Sequence, residues 1–484
     1  MPAPNEQPEK AGQGWRDPLF ASARQRHWRG HSATMPGQKG DAMDRIAQRA
    51  VAAAERALRD AELWATMASL LGGHYPHLEL TTIGSLIGES GWSLSLGDDP
   101  TPELADLLAC CRNAHEQASE IRTRALTHVA SHADTNRQGL PVIVFNSAPM
   151  PRSGTVWLHH EWPGPGVRGI AVLDEWDRLA RPAMDEVVRN PAGSIASAWI
   201  GWAAKDVPSV GYRTFHLVPE SVTPRQEVPV PAAQPSRPPL CASEPPSDWS
   251  LEPRISPLEV QLASRQAGHL PASFSLLNLQ PAGSVGIARI SLTADDAIRI
   301  LLREVGGQHC RVELRLFVPF PDDVQAIELT PRQLVTVTGV AEPPAWAGPG
   351  PTLSPAAGPA EQLACDDAGG NADTAVDLRV EVAVSPDTVR LVPGEHAQLP
   401  ISVTGAGDGP ITVQAVAPCA LWPLLPHWRQ YGILHNGTAA VNFDLAAPST
   451  AAPVDGWIAV RAGRAGQGFG PPRPATVIVT DATA

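Results

Sequence analysis

The chain has 484 residues, with 50 Asp and Glu against 37 Lys and Arg, and so a formal net charge of −13 at pH 7. Phosphate backbones repel such a chain unless it has a basic patch, and the sequence contains no run of Lys or Arg, so no nucleic-acid partner is expected. The length exceeds what one core holds, and about two to four domains are expected.

The six cysteines are scattered and include no Cys-x-x-Cys pair. That usage is typical of a reducing compartment, and the polar N-terminus lacks the apolar segment of a signal peptide. A cytoplasmic location is therefore expected. The sequence has no apolar run of about 18 residues, so neither a membrane span nor a membrane partner is expected.

The first predicted element is a long amphipathic helix over residues 41–71, where apolar residues recur at intervals of three and four. Gly72 and Gly73 follow it and predict its end. The stretch 77–100 (HLELTTIGSLIGESGWSLSLGDDP) is rich in Gly and Ser, and its helical signal is weak.

A second helix is predicted over about 102–132, with Thr101 as its N-cap and Pro102 at its first helical position. Two such helices need a surface to pack on, which predicts an antiparallel helical bundle over 41–138. Residues 1–40 are expected to form a partly disordered N-terminal segment.

From residue 140 the apolar residues alternate, which is the period of a β-strand. The predicted strands cover 142–145, 154–158, 169–173, 195–202, 211–218, 273–281, 285–292, 297–305, 310–318 and 324–329. Residues 220–257 are Pro-rich and poor in apolar side chains. A large β-sandwich over 140–340 with a flexible insert at 220–257 is therefore predicted.

A second stretch rich in Pro, Gly and Ala, 341–372, is predicted to be a linker. The segment 373–484 contains about seven short strand patterns separated by turn residues, which is typical of an Ig-like β-sandwich. The predicted fold class is therefore α+β and multidomain, with an antiparallel helical bundle, a large β-sandwich and a C-terminal Ig-like β-sandwich.

The two Pro-rich ranges generate a first prediction. They hold too few apolar residues to offset the entropy lost on ordering. Limited proteolysis, followed by mass spectrometry of the fragments, is expected to show the first cuts within 220–257 or 341–372. First cleavage inside the strands at 297–317 would contradict this domain map.

Several separated stretches follow one another in an order found in a known family. They are Trp28-Arg29-Gly30-His31, Ala54-Glu55 to Leu58, Asp60-Ala61-Glu62, Val144 to Ser147 with Arg152-Ser153-Gly154, Val207 to Phe215, Ser273-Phe274-Ser275, Ile298 to Arg303 and Val312 to Phe317. Together they span about residues 15–340 and resemble the C-terminal portion of glycoside hydrolase family 38, the α-mannosidases. Pro36 and Lys39 follow the first of these stretches, and Met35 departs from the pattern, in which an arginine usually precedes the proline.

The resemblance implies a retaining glycosidase with a zinc ion, whose ligands and nucleophile lie mainly in an N-terminal α/β domain. About 40 residues precede the first helix, too few for such a domain. The family also implies a zinc-binding histidine after the first helix of the bundle, and residues 78–102 contain none. The chain is therefore expected to be an α-mannosidase-like fragment or subunit in mannoside metabolism, without a zinc cofactor and inactive alone. Its catalytic domain is expected to be a separate subunit that is its partner, or to have been lost.

Two groups of histidines are weak metal candidates. His74 and His77 stand three residues apart, but no carboxylate or thiolate cluster accompanies them, so they are interpreted as turn or surface residues. His159-His160-Glu161 ends a predicted strand and is interpreted in the same way. No metal site and no catalytic residue are assigned.

The tryptophans suggest an alternative function, because sugars stack on exposed indole rings. Trp422 and Trp428 form the densest aromatic cluster, and they are the candidate carbohydrate contacts. Trp199 and Trp202 stand three apart on a predicted strand and are expected to face opposite sides. Core packing is the more common role for each of these four residues. The alternative hypothesis is a non-catalytic β-sandwich protein that binds carbohydrate or scaffolds a partner.

Overall fold

The structure is a computed structural model that describes residues 40–89, 101–164, 166–180, 182–220, 257–280, 284–293, 297–316, 324–340, 380–448, 451, 453–464 and 468–480. Residues 1–39, 221–256 and 341–372, which hold the predicted N-terminal segment, most of the insert and the linker, lie outside these ranges. The predicted domain limits stay predictions. In the described part of the chain, no helix is long and apolar enough to cross a membrane.

The described residues of the N-terminal region form three helices: α1 (Gly40–Leu70), α2 (His77–Glu89) and α3 (Pro102–Ala130). The capping residue of α3 is the predicted one, since Oγ1 of Thr101 accepts a hydrogen bond from the backbone N–H of Leu104 at 3.2 Å. The Thr101 backbone is extended, as it is at an N-cap.

Helix α2 lies in the stretch whose helical signal is weak, and the sequence alone does not predict it. Leu80, Ile83 and Ile87 recur along it at intervals of three and four, and all three are buried. Packing against the long helices therefore outweighs the low helix propensity of its Thr and Gly residues.

The two long helices run parallel to each other, and α2 runs antiparallel to α3, since Glu79 in its first turn pairs with Arg124 near the C-terminal end of α3. The ring of His128 lies 3.3 Å from the carbonyl oxygen of Leu71, so both long helices finish at the same end of the bundle. Half-way along them, Arg122 reaches Asp60 at 4.0 Å. The short helix α2 turns the chain back after α1, because a helix that follows another through a short loop runs antiparallel to it. The sequence pattern could not show this without α2.

The first β region contains two sheets. Its strands are β1 (Leu140–Asn146), β2 (Arg152–Glu161), β3 (Gly169–Leu173), β4 (Leu179–Ala180), β5 (Ala183–Arg189), β6 (Ile195–Val207), β7 (Gly211–Glu220), β8 (Glu259–Leu262) and β9 (Ser273–Ser275). One sheet has the order β4-β3-β7-β1-β8, with β9 paired to β7, and the other has the order β2-β6-β5.

Strand β1 is buried on both faces and joins two cores. Val142 and Val144 belong to the core between the two sheets, whereas Ile143 and Phe145 belong to the core shared with the helices. The Phe145 ring meets the Trp64 ring of α1 edge-on at 5.2 Å. The layers therefore run from helices to the first sheet to the outer sheet β2-β6-β5.

Two further three-stranded sheets follow, ordered β10-β13-β14 and β11-β12-β15. Their strands are β10 (Leu277–Gln280), β11 (Val285–Leu292), β12 (Ala297–Glu304), β13 (Cys310–Leu316), β14 (Val324–Leu329) and β15 (Leu334–Val340). Both sheets contribute side chains to the core that contains the helices. A buried ion pair joins β11 to α1, because Nε of Arg289 donates to Oε2 of Glu62 at 2.7 Å.

The C-terminal region has its own core between a three-stranded sheet, β16-β18-β21, and a five-stranded sheet, β17-β23-β22-β19-β20. The strands are β16 (Val380–Val384), β17 (Thr388–Leu391), β18 (His396–Gly405), β19 (Gly409–Val416), β20 (Arg429–Leu434), β21 (Thr438–Ala446), β22 (Val454–Arg464) and β23 (Arg473–Val479). All pairs are antiparallel except β17 with β23. A short 3-10 helix, Cys419–Leu424, precedes β20.

The buried pair between helix and sheet generates a second prediction. Replacing Arg289→Met removes the guanidinium that pairs with the Glu62 carboxylate, and the side chain of Glu62 is only 2% exposed. Breaking one half of such a pair costs about 3–5 kcal/mol, so the urea midpoint is expected to fall sharply. The double variant Glu62→Leu with Arg289→Met removes both charges and is expected to recover most of the loss. A single variant as stable as the double would contradict the prediction.

Candidate functional site

The outer face of the sheet β2-β6-β5 is the most distinctive surface of the first β region. Alternation along β6 sends Ala198, Ile200 and Trp202 into the core between the sheets, where all three are buried. The intervening residues face outward. The outward set on the three strands is Thr155, Trp157, His159, Glu161, Ser197, Trp199, Gly201, Ala203, Ala183 and Asp185.

The indole of Trp157 lies flat on the strand beside it. Trp157 pairs directly with Gly201 across β2 and β6. A Cβ atom built on Gly201 would lie 2.7 Å from Cδ2, Cε2 and Cη2 of the indole. Cδ2 and Cη2 are opposite corners of the six-membered ring, so the ring face covers the glycine. Only glycine leaves room for this arrangement.

Outward residues that pair directly across the strands form a row, and the row next to Trp157 and Gly201 is also aromatic. His159 pairs directly with Trp199, and the two ring centroids are 5.2 Å apart. On the other side of Trp199, strand β5 places the carboxylate of Asp185. One row further, Glu161 pairs with Ser197. The face thus presents two rows of rings followed by hydroxyl and carboxylate groups.

The outward face is open to solvent at several positions. Thr155, His159, Glu161, Asp185 and Ala203 are exposed, and Trp157 and Trp199 are half-buried. Beyond their own sheet, the main contacts of these strands are with β1, β7 and β8 of the opposite sheet, on the inward side.

Trp199 and Trp202 therefore face opposite sides, as the strand period predicts. Trp202 is 1% exposed and fills the core. Sequence reasoning missed Trp157, because its partner Gly201 is 44 positions away and only the register brings them together. The sequence did contain one indication: Trp157 stands two positions before His159, and residues two apart on a strand lie on the same face.

The predicted carbohydrate contacts occupy a different environment. Trp428 is 5% exposed, and its Nε1 donates to Oε2 of Glu116 on α3 at 3.0 Å. The guanidinium groups of Arg112 and Arg429 lie over its ring, at 5.3 and 4.6 Å from the centroid. Its contact with a sugar stays a prediction, and this burial argues against it because both cations would have to move.

Trp422 is half-buried beside the same helix. Its ring meets that of His115 at 5.2 Å, and its Nε1 donates to the carbonyl oxygen of Ala417 at 3.0 Å. Both tryptophans thus help to attach the C-terminal region to α3. Further polar contacts strengthen the junction, since Arg112 donates to the carbonyl oxygen of Leu425 and Arg461 pairs with Asp106. A sugar contact at Trp422 also stays a prediction.

The weak metal candidates do not converge. His77 is the first residue of α2 and its ring packs on that of Tyr75 at 4.5 Å, whereas His74 is exposed in the preceding turn. His159 and Glu161 face outward from β2, but His160 faces inward and packs on Trp162. Among the described residues, no group of three or more His, Cys, Asp or Glu side chains is arranged to hold a metal ion.

No protein-family model and no curated protein matches this chain. Among solved structures it is similar to an α-mannosidase from Enterococcus faecalis V583, with 9% identity, a TM-score of 0.28, and coverage of 86% of this chain and 42% of that one. It is also similar to a protein in the glycosyl hydrolase family 38 from Enterococcus faecalis, with 10% identity, a TM-score of 0.31, and coverage of 89% and 46%.

A third similar structure is WR4, a C. elegans MSP family member, with 12% identity, a TM-score of 0.14, and coverage of 21% of this chain and 97% of that one. The chain spans less than half the length of the two hydrolases it matches. At these identities and TM-scores, the likeness identifies no residue and no activity in this chain.

The junction at α3 generates a third prediction. Burial beside Trp422, and next the charge of Arg122, lower the pKa of His115 from its ordinary value of 6.5. The unfolded chain therefore takes up this proton first, and stability falls as the pH drops below about 6.5. Urea midpoints are expected to decrease from pH 7 to 5.5, and to decrease less in His115→Phe.

The matched control is His396→Gln, at an exposed position of β18. Burial also lowers the pKa of His132, His160 and His216, and these three residues remain in every variant. The contribution of His115 is therefore the difference between wild type and His115→Phe in the pH dependence of the urea midpoint. An equal slope in wild type, variant and control would show that His115 makes no contribution.

Proposed function

We propose that this chain binds carbohydrate through the outer face of the sheet β2-β6-β5. The observation that supports this proposal is the indole of Trp157, which lies flat over Gly201 with His159 and Trp199 in the next row. A ring held flat on a sheet is a preformed platform, because little conformational freedom is lost when a ligand covers it.

The chemistry of the face suits a sugar. A pyranose ring presents polarised C–H groups on its faces, and these pack against the negative face of an indole. Its hydroxyl groups are donors, and the carboxylates of Asp185 and Glu161 are acceptors at the edge of the aromatic rows. A protein partner is less well matched, because aliphatic side chains are scarce on these rows.

The motif resemblance gives this proposal a finer form. We propose that the chain is the non-catalytic portion of an α-mannosidase-like glycoside hydrolase that acts on mannosides. In this view the catalytic α/β domain and the zinc lie outside these 484 residues, and the outer sheet holds the saccharide. The stretch Asp60-Ala61-Glu62, which resembles the first bundle helix of that family, has structural roles in this chain. Asp60 contacts Arg122, and Glu62 pairs with Arg289.

A fourth prediction tests the platform with mannan. In affinity electrophoresis, soluble mannan in the gel is expected to retard the full chain. Trp157→Ala removes one stacking contact of about 1 kcal/mol, which corresponds to a loss of about fivefold in affinity. Gly201→Val fills the space beneath the ring and is also expected to lower the affinity for mannan.

The matched control is Tyr431→Ala, because Tyr431 is 67% exposed on β20, on a different region of the chain. This variant is expected to migrate as the wild type does. Circular dichroism of each variant separates lost binding from lost folding. Absence of retardation for the folded wild-type chain, or equal loss in Tyr431→Ala, would sink the proposal and favour the scaffolding alternative.

A further inference from the structure

We infer that the outer sheet face takes a neutral oligosaccharide of at least two sugar units, with one unit over Trp157 and the next over Trp199. This inference rests on the proposed function and specifies the class of ligand. Three features of the face lead to it: the spacing of the two rings, their direction across the strands, and the charge of their neighbours.

The two rings occupy successive rows of the sheet. Trp157 pairs with Gly201, and Trp199 stands two positions before that glycine on the same strand. Two residues advance a strand by about 7 Å. A pyranose ring is about the size of the six-membered ring of an indole, so one sugar unit covers one row and leaves the other uncovered.

The direction of the ligand follows from the register. Trp157 lies on β2 and Trp199 on β6, one row apart, so they are diagonal neighbours on one face, a separation of about 7–8 Å. Small residues provide a floor beside the first ring, because Gly201 pairs with Ala183 on β5. Because the Trp157 ring covers Gly201, two positions from Trp199 on the same strand, an extended chain of sugars lies along β6. His159, packed against Trp199 at 5.2 Å, holds the second ring in place.

The charges of the face select a neutral ligand. Asp185 is the direct neighbour of Trp199, and Glu161 lies one row beyond on β2. Both carboxylates are exposed and accept hydrogen bonds from hydroxyl groups. They repel the carboxylates of uronic acids, and the net charge of −13 adds to that repulsion. Lys205 is an outward cation on β6, two rows from the Trp157–Gly201 row, past Ala203.

The experiment compares three probes on the full chain by isothermal titration calorimetry: methyl α-mannopyranoside, a linear α-linked mannotriose and trigalacturonate. Mannotriose is expected to bind at least fivefold more tightly than the monosaccharide, because it gains the second stacking contact. Trp199→Ala is expected to reduce mannotriose affinity to that of the monosaccharide. Trigalacturonate is expected to bind more weakly than mannotriose.

Further variants keep the result interpretable. His159→Ala is a milder change at the second row and is expected to weaken mannotriose binding, so this variant provides the test if Trp199→Ala fails to fold. Asp185→Asn is expected to reduce the difference in affinity between mannotriose and trigalacturonate. Equal affinity of monosaccharide and trisaccharide, both lost in Trp157→Ala, would overturn the two-unit inference and leave the proposed function standing. Binding of none of the probes, together with no retardation by mannan, would overturn both.

Discussion

The structure depends on one strand that is buried on both faces. β1 has Ile143 and Phe145 against the helices, and Val142 and Val144 against the outer sheet. This strand is apolar from Val142 to Phe145, because neither side offers solvent there. It fixes the distance between bundle and outer sheet, and through its pairing with β7 it orders the whole first sheet. Because the inward face of β2-β6-β5 packs in the core with β1, its other face points outward.

The aromatic platform on that outward face depends on the contact between the ring of Trp157 and the backbone of Gly201. Gly201 has no Cβ, and the space it leaves is covered by the ring of Trp157 on the neighbouring strand. A glycine inside a strand weakens the strand by itself. Here the indole covers the exposed backbone and recovers part of the apolar contact, and it is held flat as a consequence. The same contact therefore stabilises the sheet and shapes the candidate site.

The C-terminal region shows how packing can reassign a conspicuous residue. Trp428 was the obvious aromatic candidate in the sequence, yet its indole N–H is bonded to Glu116 and its ring lies among guanidinium groups. Tryptophan is suited to such junctions because it combines a large apolar area with one hydrogen-bond donor. Arg112 links the two regions directly, through Glu116 within α3 and the carbonyl oxygen of Leu425 across the junction. These contacts hold the C-terminal sandwich against the helices.

The sequence by itself determined the elements whose signals are local. The period of 3.6 predicted α1 and α3, Thr101 predicted a cap, and alternation predicted strands such as 169–173, 285–292 and 324–329 at the bounds they have. Tertiary structure alone decided helix α2, the parallel course of the long helices and the pairing of Trp157 with Gly201. Each of these depends on partners distant in the chain: Ile83 and Ile87 are helical because two other helices bury them, and register is set by whole sheets. Local propensity contains no information about such partners, so the face that forms the candidate site became visible only in three dimensions.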